Sequence, residues 1–170
     1  ELKTIFTEKP LTIMADSGQI EQVVMNLATN AQDAMPDGGV LTIEMSLAEM
    51  DNGFIITHGY GKAGIYGLIS VADTGIGMDE KIKGSIFEPF FTTKEVGKGT
   101  GLGLAIVYGI VKEHNGYINV YSEIGNGAIF RIYLPLIMTE ADEARPVEHI
   151  ILPRGTETIL LAEDDISVRN

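Results

Sequence analysis

Residues 41–47, LTIEMSL, alternate without exception: Leu41, Ile43, Met45 and Leu47 fall on one side, Thr42, Glu44 and Ser46 on the other. This is the period of a strand with one buried face. A one-faced strand obliges the chain to supply a second layer. Two stretches can supply it at helical spacing: Ile20, Val23, Val24, Leu27, Ala31 and Ala34, then Ile106, Val107, Ile110, Val111 and His114. The first opens on Asp16 and Gln19 in capping-box register and stops at Pro36, Gly38 and Gly39. Further strands are expected in LTIM (11–14), in YGLISVAD (66–73), and in a hairpin of GYINVYS and AIFRIYLP turning at Gly125–Gly127. The order strand, helix, strand, strand, long loop, helix, strand, strand predicts an α/β fold, a two-layer α/β sandwich on a mixed or antiparallel sheet. DNGFIITHGYGKAG (51–64) reads as a glycine-rich connection, and 73–100 as an irregular loop of functional length.

At 170 residues there is chain for one packed domain and a little more. The opening at Glu1 reads as the interior of a longer protein. The lack of cysteine excludes disulfides, zinc knuckles and a thiol nucleophile. No apolar run approaches the ~18 residues of a membrane span and no signal peptide is visible, so the expectation is a cytoplasmic segment without membrane contact. A formal net charge of −12 argues against a nucleic-acid surface. The cations are unevenly placed: none lies between Lys9 and Lys62, whereas Lys81, Lys83, Lys94 and Lys98 gather near the glycines of GKGTGLGLA (97–105). That cluster suits either a small polyanion or an ordinary solvated loop.

Glycine at every second position from Gly97 to Gly103 is entropically costly and needs a reason. A mobile loop is one; backbone that must approach a phosphate at a helix N-terminus is another. A Walker A loop is excluded because Gly99 follows Lys98, and the G-x-G-x-x-G frames starting at Gly75, Gly97, Gly99, Gly101 and Gly125 all fail at the last glycine.

On the first helix Gln22, Asn26, Asn30 and Asp33 share one face. Such a stripe is a solvent face or a binding face. Two asparagines are weak helix formers, and each offers an amide oxygen to a hard cation and an NH₂ to a phosphate. ADTGIGM (72–78) is a simple turn, or it places Asp73 at a strand end to accept from the adenine amino group. Phe87, Phe90 and Phe91 in IFEPFFTTK (86–94) are satellite core or the fastening of a lid.

Taken in order, NLATNAQDA, DTGIGM, FEPFFTTK, GKGTGLGLAI and GNGAIFRIYLP resemble the N, G1, F and G2 boxes and closing hairpin of the catalytic ATP-binding domain of sensor histidine kinases, over roughly residues 1–135. These domains belong with gyrase, heat-shock-chaperone and mismatch-repair ATPases. The resemblance implies a Bergerat-type fold, with a mixed, mostly antiparallel sheet covered on one face by helices and a long mobile ATP lid over 79–100. It implies ATP and Mg²⁺ as ligands. Asn30 corresponds to the metal ligand, and Asn26 and Lys94 are the expected catalytic residues. Asp33 and Thr93 join them near the phosphates. Asp73 corresponds to the adenine carboxylate, with Gly75, Gly77, Met78, Phe90 and Ala128 around the base. Lys98, Gly99, Thr100, Gly101, Leu102, Gly103 and Leu104 correspond to the phosphate cradle.

The hydrolysing relatives carry a glutamate one turn before the metal asparagine. Here Asn26 stands there, and an amide cannot take a proton. The resemblance therefore implies a kinase that gives the γ-phosphate to a histidine on an upstream dimerisation and phosphoacceptor helix domain. A chaperone- or topoisomerase-type ATPase and a nucleotide-sensing module are the alternatives. One departure is Ala128, where the family usually has threonine. His58, His114 and His149 are not in an acceptor motif; His114 is expected to cap a helix end. After a linker at 136–156, ETILLAEDDISVRN (157–170) resembles the first strand of a receiver domain, the alternative being an acidic surface turn. A downstream receiver or response regulator is the implied partner.

Overall fold

The computed structural model describes residues 1–58, 61–95 and 99–137, with only the backbone of 57 and 58. Five strands form one sheet in the order β1-β2-β3-β5-β4: β1 (Leu2–Phe6), β2 (Leu41–Met50), β3 (Gly64–Asp73), β4 (Tyr117–Ser122) and β5 (Ala128–Pro135). Only β1 and β2 run parallel; the other pairings are antiparallel. The helices are α1 (Ser17–Ala34), α2 (Asn52–His58), α3 (Glu80–Ser85) and α4 (Gly103–Glu113). The fold is the expected two-layer α/β sandwich on a mixed, mostly antiparallel sheet.

The register explains the core. Ile69 and Val71 of β3 and Phe130, Ile132 and Leu134 of β5 point to one face. There they meet Val23 and Leu27 of α1 and Val107, Ile110 and Val111 of α4. Leu41 and Met45 of the alternating stretch pack against the same core, while Leu47, at the end of that face, is exposed. The intervening residues Tyr66 and Tyr133, with Met50, make a smaller cluster on the other face, joined by Phe54 of α2. The Phe54 and Tyr133 rings meet edge-on, 5.6 Å between centroids. The helical cover on the first face is therefore accompanied by a small one on the second.

Four expectations are corrected. The strand expected at 11–14 reduces to a single bridge, Ile13 to Leu136; the five residues between Pro10 and the Asp16 cap leave little length for a ladder. The first strand is β1, whose side chains are exposed throughout. With nothing to bury, LKTIF carries no alternation to read. The connection at 51–64 contains α2, started by Asp51 Oδ1 accepting the Phe54 N–H at 2.7 Å, and His58 ends that helix instead of lying in a loop. The irregular stretch contains α3, capped likewise by Asp79 through the Ile82 N–H at 2.7 Å. Most of the linker and all of the receiver-like segment lie outside the described residues, as do Gly97, Lys98 and His149. Leu136 and Ile137 still belong to the sandwich, the Ile137 N–H donating to the Thr12 carbonyl at 2.9 Å.

Half of the predicted capping box forms. Asp16 Oδ1 accepts the Gln19 N–H at 3.0 Å. Gln19, however, reaches across to Glu113 of α4. The Asp16 N–H is taken by His114 Nε2 at 3.1 Å, while His114 Nδ1 donates to the Ile110 carbonyl. His114 thus caps its own helix as expected and also ties the end of α4 to the start of α1. Asp16→Ala is expected to cost about 1 kcal/mol of stability, read as a drop of a few degrees in the thermal midpoint by circular dichroism. An unchanged midpoint would mean the backbone bond to His114 holds this end of α1 without the cap.

Candidate functional site

The site is assembled from α1, the turn after β3 and the start of α4. Asn26, Asn30 and Asp33 lie on one face of α1. A Cβ built on Gly103, the first residue of α4, would sit 3.8 Å from both Asn26 Oδ1 and Asn30 Nδ2. The glycine start of one helix therefore lies directly over the asparagine pair of the other. Among the described residues no side chain caps α4 at Leu102. Asn26 Nδ2 is buried without a hydrogen-bond partner among the described residues. An orphaned donor beside an uncapped helix N-terminus fits a phosphate group. No cluster of acidic or imidazole groups able to hold a metal unaided occurs among the described residues. A cation here would rest on the Asn30 amide oxygen and on the ligand's own oxygens, which suits Mg²⁺.

Asp73 ends β3 with 9% of its surface exposed. Burial pushes its carboxyl above the usual carboxylate range, against the opposing pull of two N–H donors, Gly75 and Ala128. Both bond to Oδ1, at 2.8 and 3.3 Å. Among the described residues no donor reaches Oδ2, which is left for an amino group. Ala128 stands opposite Asp73 in the β3–β5 register and serves it through the backbone.

The turn after Asp73 is fixed on two sides. The Ile76 N–H donates to the Ala34 carbonyl at the end of α1, at 3.0 Å. Gly77 has φ +67°, and a Cβ there would lie 1.9 Å from the Glu123 carbonyl oxygen, so only glycine fits. The Met78 N–H donates to Ser122 Oγ, which donates on to the Gly127 carbonyl. Ser122 is a positioning residue that sequence reasoning missed, since a serine ending a strand carries no signal. Met78 and Leu104 pack against the core.

The phenylalanines divide. Phe87 and Phe91 join the core edge, and Phe87 stacks at a tilt on Tyr108. Phe90 is exposed and left-handed, φ 68°, with its N–H donating to the Gly101 carbonyl at 2.9 Å. Gly101, φ +66°, is needed in return: a Cβ there would fall 2.4 Å from the Phe90 carbonyl carbon. Thr93 is exposed, and the Lys94 ammonium pairs with the Asp33 carboxylate. Thr100 accepts the Leu102 N–H just before α4, and a Cβ on Gly99 would approach the Lys94 stem at 3.0 Å. Lys98 lies outside the described residues. The candidates thus centre on two places, the buried carboxylate of Asp73 and the asparagine pair of α1 beneath Gly103, while Phe90 and Thr93 are exposed.

Residues 15–138 match the family described as histidine kinase-, DNA gyrase B-, and HSP90-like ATPase. The chain is 44% identical over 165 residues to the sensor kinase CckA of Brucella abortus, covering 92% of this chain and 18% of that protein. It is 40% identical over 124 residues to sporulation kinase C of Bacillus subtilis, covering 73% of this chain and 25% of that kinase. It therefore spans about a quarter of these kinases or less. Among solved structures, full-length ShkA in complex with AMPPNP superposes with a TM-score of 0.64 at 31% identity, over 83% of this chain and 26% of that one. The nucleotide-free catalytic domain of the histidine kinase ThkA superposes with a TM-score of 0.59 at 31% identity, over 79% of each chain.

Proposed function

The chain belongs to the histidine kinase-, DNA gyrase B- and HSP90-like ATPase family as a histidine-kinase catalytic domain, and from that premise we propose that it holds Mg-ATP for transfer of the γ-phosphate to a histidine on a separate helical domain. The N–P bond to the imidazole forms as the bond from the γ-phosphorus to the bridging oxygen breaks, and ADP leaves. Asp73 accepts from the adenine amino group. Asn26, Asn30 and the first turn of α4 receive the phosphates. Asn30 would hold a magnesium ion, which would supply positive charge to the phosphate oxygens. The domain acts in the cytoplasm, and residues 157–170, beyond a linker that follows Ile137, begin a receiver domain.

One observation carries the choice of transfer over hydrolysis. The side chain one turn before Asn30, facing Gly103, is the amide of Asn26 and not a carboxylate. An amide offers no base for an attacking water. The test uses γ-labelled ATP. With the phosphoacceptor helix domain added, label is expected on its histidine, and phosphate release by this chain alone is expected to stay near background. Rapid release without the helix domain would overturn the reading in favour of an ATPase.

A further inference from the structure

Asp33 and Lys94 are 61 residues apart in sequence, yet the Lys94 ammonium donates to Asp33 Oδ2. Asp33 lies about one turn beyond Asn30 on the same face of α1. Lys94 comes from the segment between α3 and α4. Its N–H is held by Thr92 Oγ1 at 3.1 Å, and its stem runs beneath Gly99. Lys83 is paired with Glu80 at 2.5 Å, and among the described residues Lys94 is the lysine of this region paired with the asparagine helix.

Both partners are half open to water, with side-chain exposures of 35% and 46%. Such a pair adds little to folding, because solvent screens it. What it does fix is where the ammonium waits. We propose that Asp33 is a positioning residue that acts through Lys94: its carboxylate stands in for a terminal phosphate, holding the lysine on α1 until a triphosphate takes the cation over. This rests on the nucleotide reading above. A carboxylate and a phosphate compete for one ammonium, and the phosphate carries the greater charge. A diphosphate lacks the group that would win Lys94, so the pair survives with ADP and is exchanged with ATP. Asp33 thereby sets how sharply the site separates the two nucleotides.

The experiment is calorimetric titration of the whole chain with Mg-ADP and with a Mg-loaded non-hydrolysable ATP analogue. Asp33→Asn frees Lys94 and is expected to raise the ratio of ATP-analogue to ADP affinity by about fivefold, the size of a half-exposed ion pair. Asp33→Glu, which keeps the carboxylate, is expected to keep the unaltered ratio. In a Lys94→Met background the Asp33→Asn effect on the ratio should vanish. Equal changes for both nucleotides, a fall in the ratio, or an undiminished effect in the Lys94→Met background would overturn the proposal while leaving nucleotide binding intact. Failure of the unaltered protein to bind either nucleotide would overturn the parent reading and this one together.

Discussion

Asp73→Asn is expected to lose ATP about ten- to hundredfold while leaving the fold in place, the equivalent of roughly 1–3 kcal/mol for a charge-assisted bond replaced by a misplaced donor. The asparagine oxygen can still accept from Gly75 and Ala128, since both of those bonds go to Oδ1. What changes is the second position, where an NH₂ would face the adenine amino group. The same substitution makes a statement about stability. Burial raises the folded pKa of Asp73 above its unfolded value. Its favourable contribution is therefore complete only below the unfolded pKa and is lost as pH rises through the folded one. At neutral pH the nucleotide-free asparagine variant should melt at or above the temperature of the unaltered protein, and that advantage should shrink as pH falls into the carboxylate range. Titration calorimetry and thermal melts measure the two effects separately. Unchanged affinity with an unchanged melt would remove Asp73 from the site.

Asn30→Ala is expected to weaken Mg-ATP by at least about tenfold, and metal-free ADP much less. The chain carries a formal net charge of −12 and the ligand adds about four more negative charges, so cation neutralisation matters more here than in a neutral protein. The Asn30 amide nitrogen faces the start of α4, which leaves its oxygen for the cation. Parallel titrations with and without magnesium separate the terms. Equal losses for both ligands would mean that Asn30 only spaces α1 from α4.

Elements with a strong period and a partner to bury against were legible: α1, α4, β2 and the β4–β5 hairpin. β1 was not, because its exposed side chains follow no period. The helices α2 and α3 were missed for another reason. Each is a short turn nucleated by one aspartate, Asp51 or Asp79. A cap without a following apolar stripe looks like loop chemistry. In the site, the asparagine stripe and Asp73 could be picked out from residue type and spacing. Their juxtaposition with Gly103 could be reached only through resemblance, because nothing local to α1 states which helix will lie over it. The Asp33–Lys94 pair and the His114 bond to Asp16 were illegible for the same reason: each joins segments whose distance is set by the whole sheet.

That last bond makes the helix pair a measuring device. α1 and α4 are antiparallel rods: His114 at the end of α4 meets Asp16 at the start of α1, and Gly103 at the start of α4 meets Asn26 and Asn30, partway along α1. From the joint, α4 extends about 16 Å to Gly103 and α1 about 15 Å to Asn26, at 1.5 Å per residue. The two lengths agree, so the start of α4 arrives level with Asn26 and about one turn short of Asn30. Adding or removing one residue between the joint and this contact in either rod would offset the contact by about 1.5 Å and turn it by about 100°, whereas the segments between helices can grow without disturbing the match. Gauge length, and not only residue identity, is thus part of what these two helices must preserve.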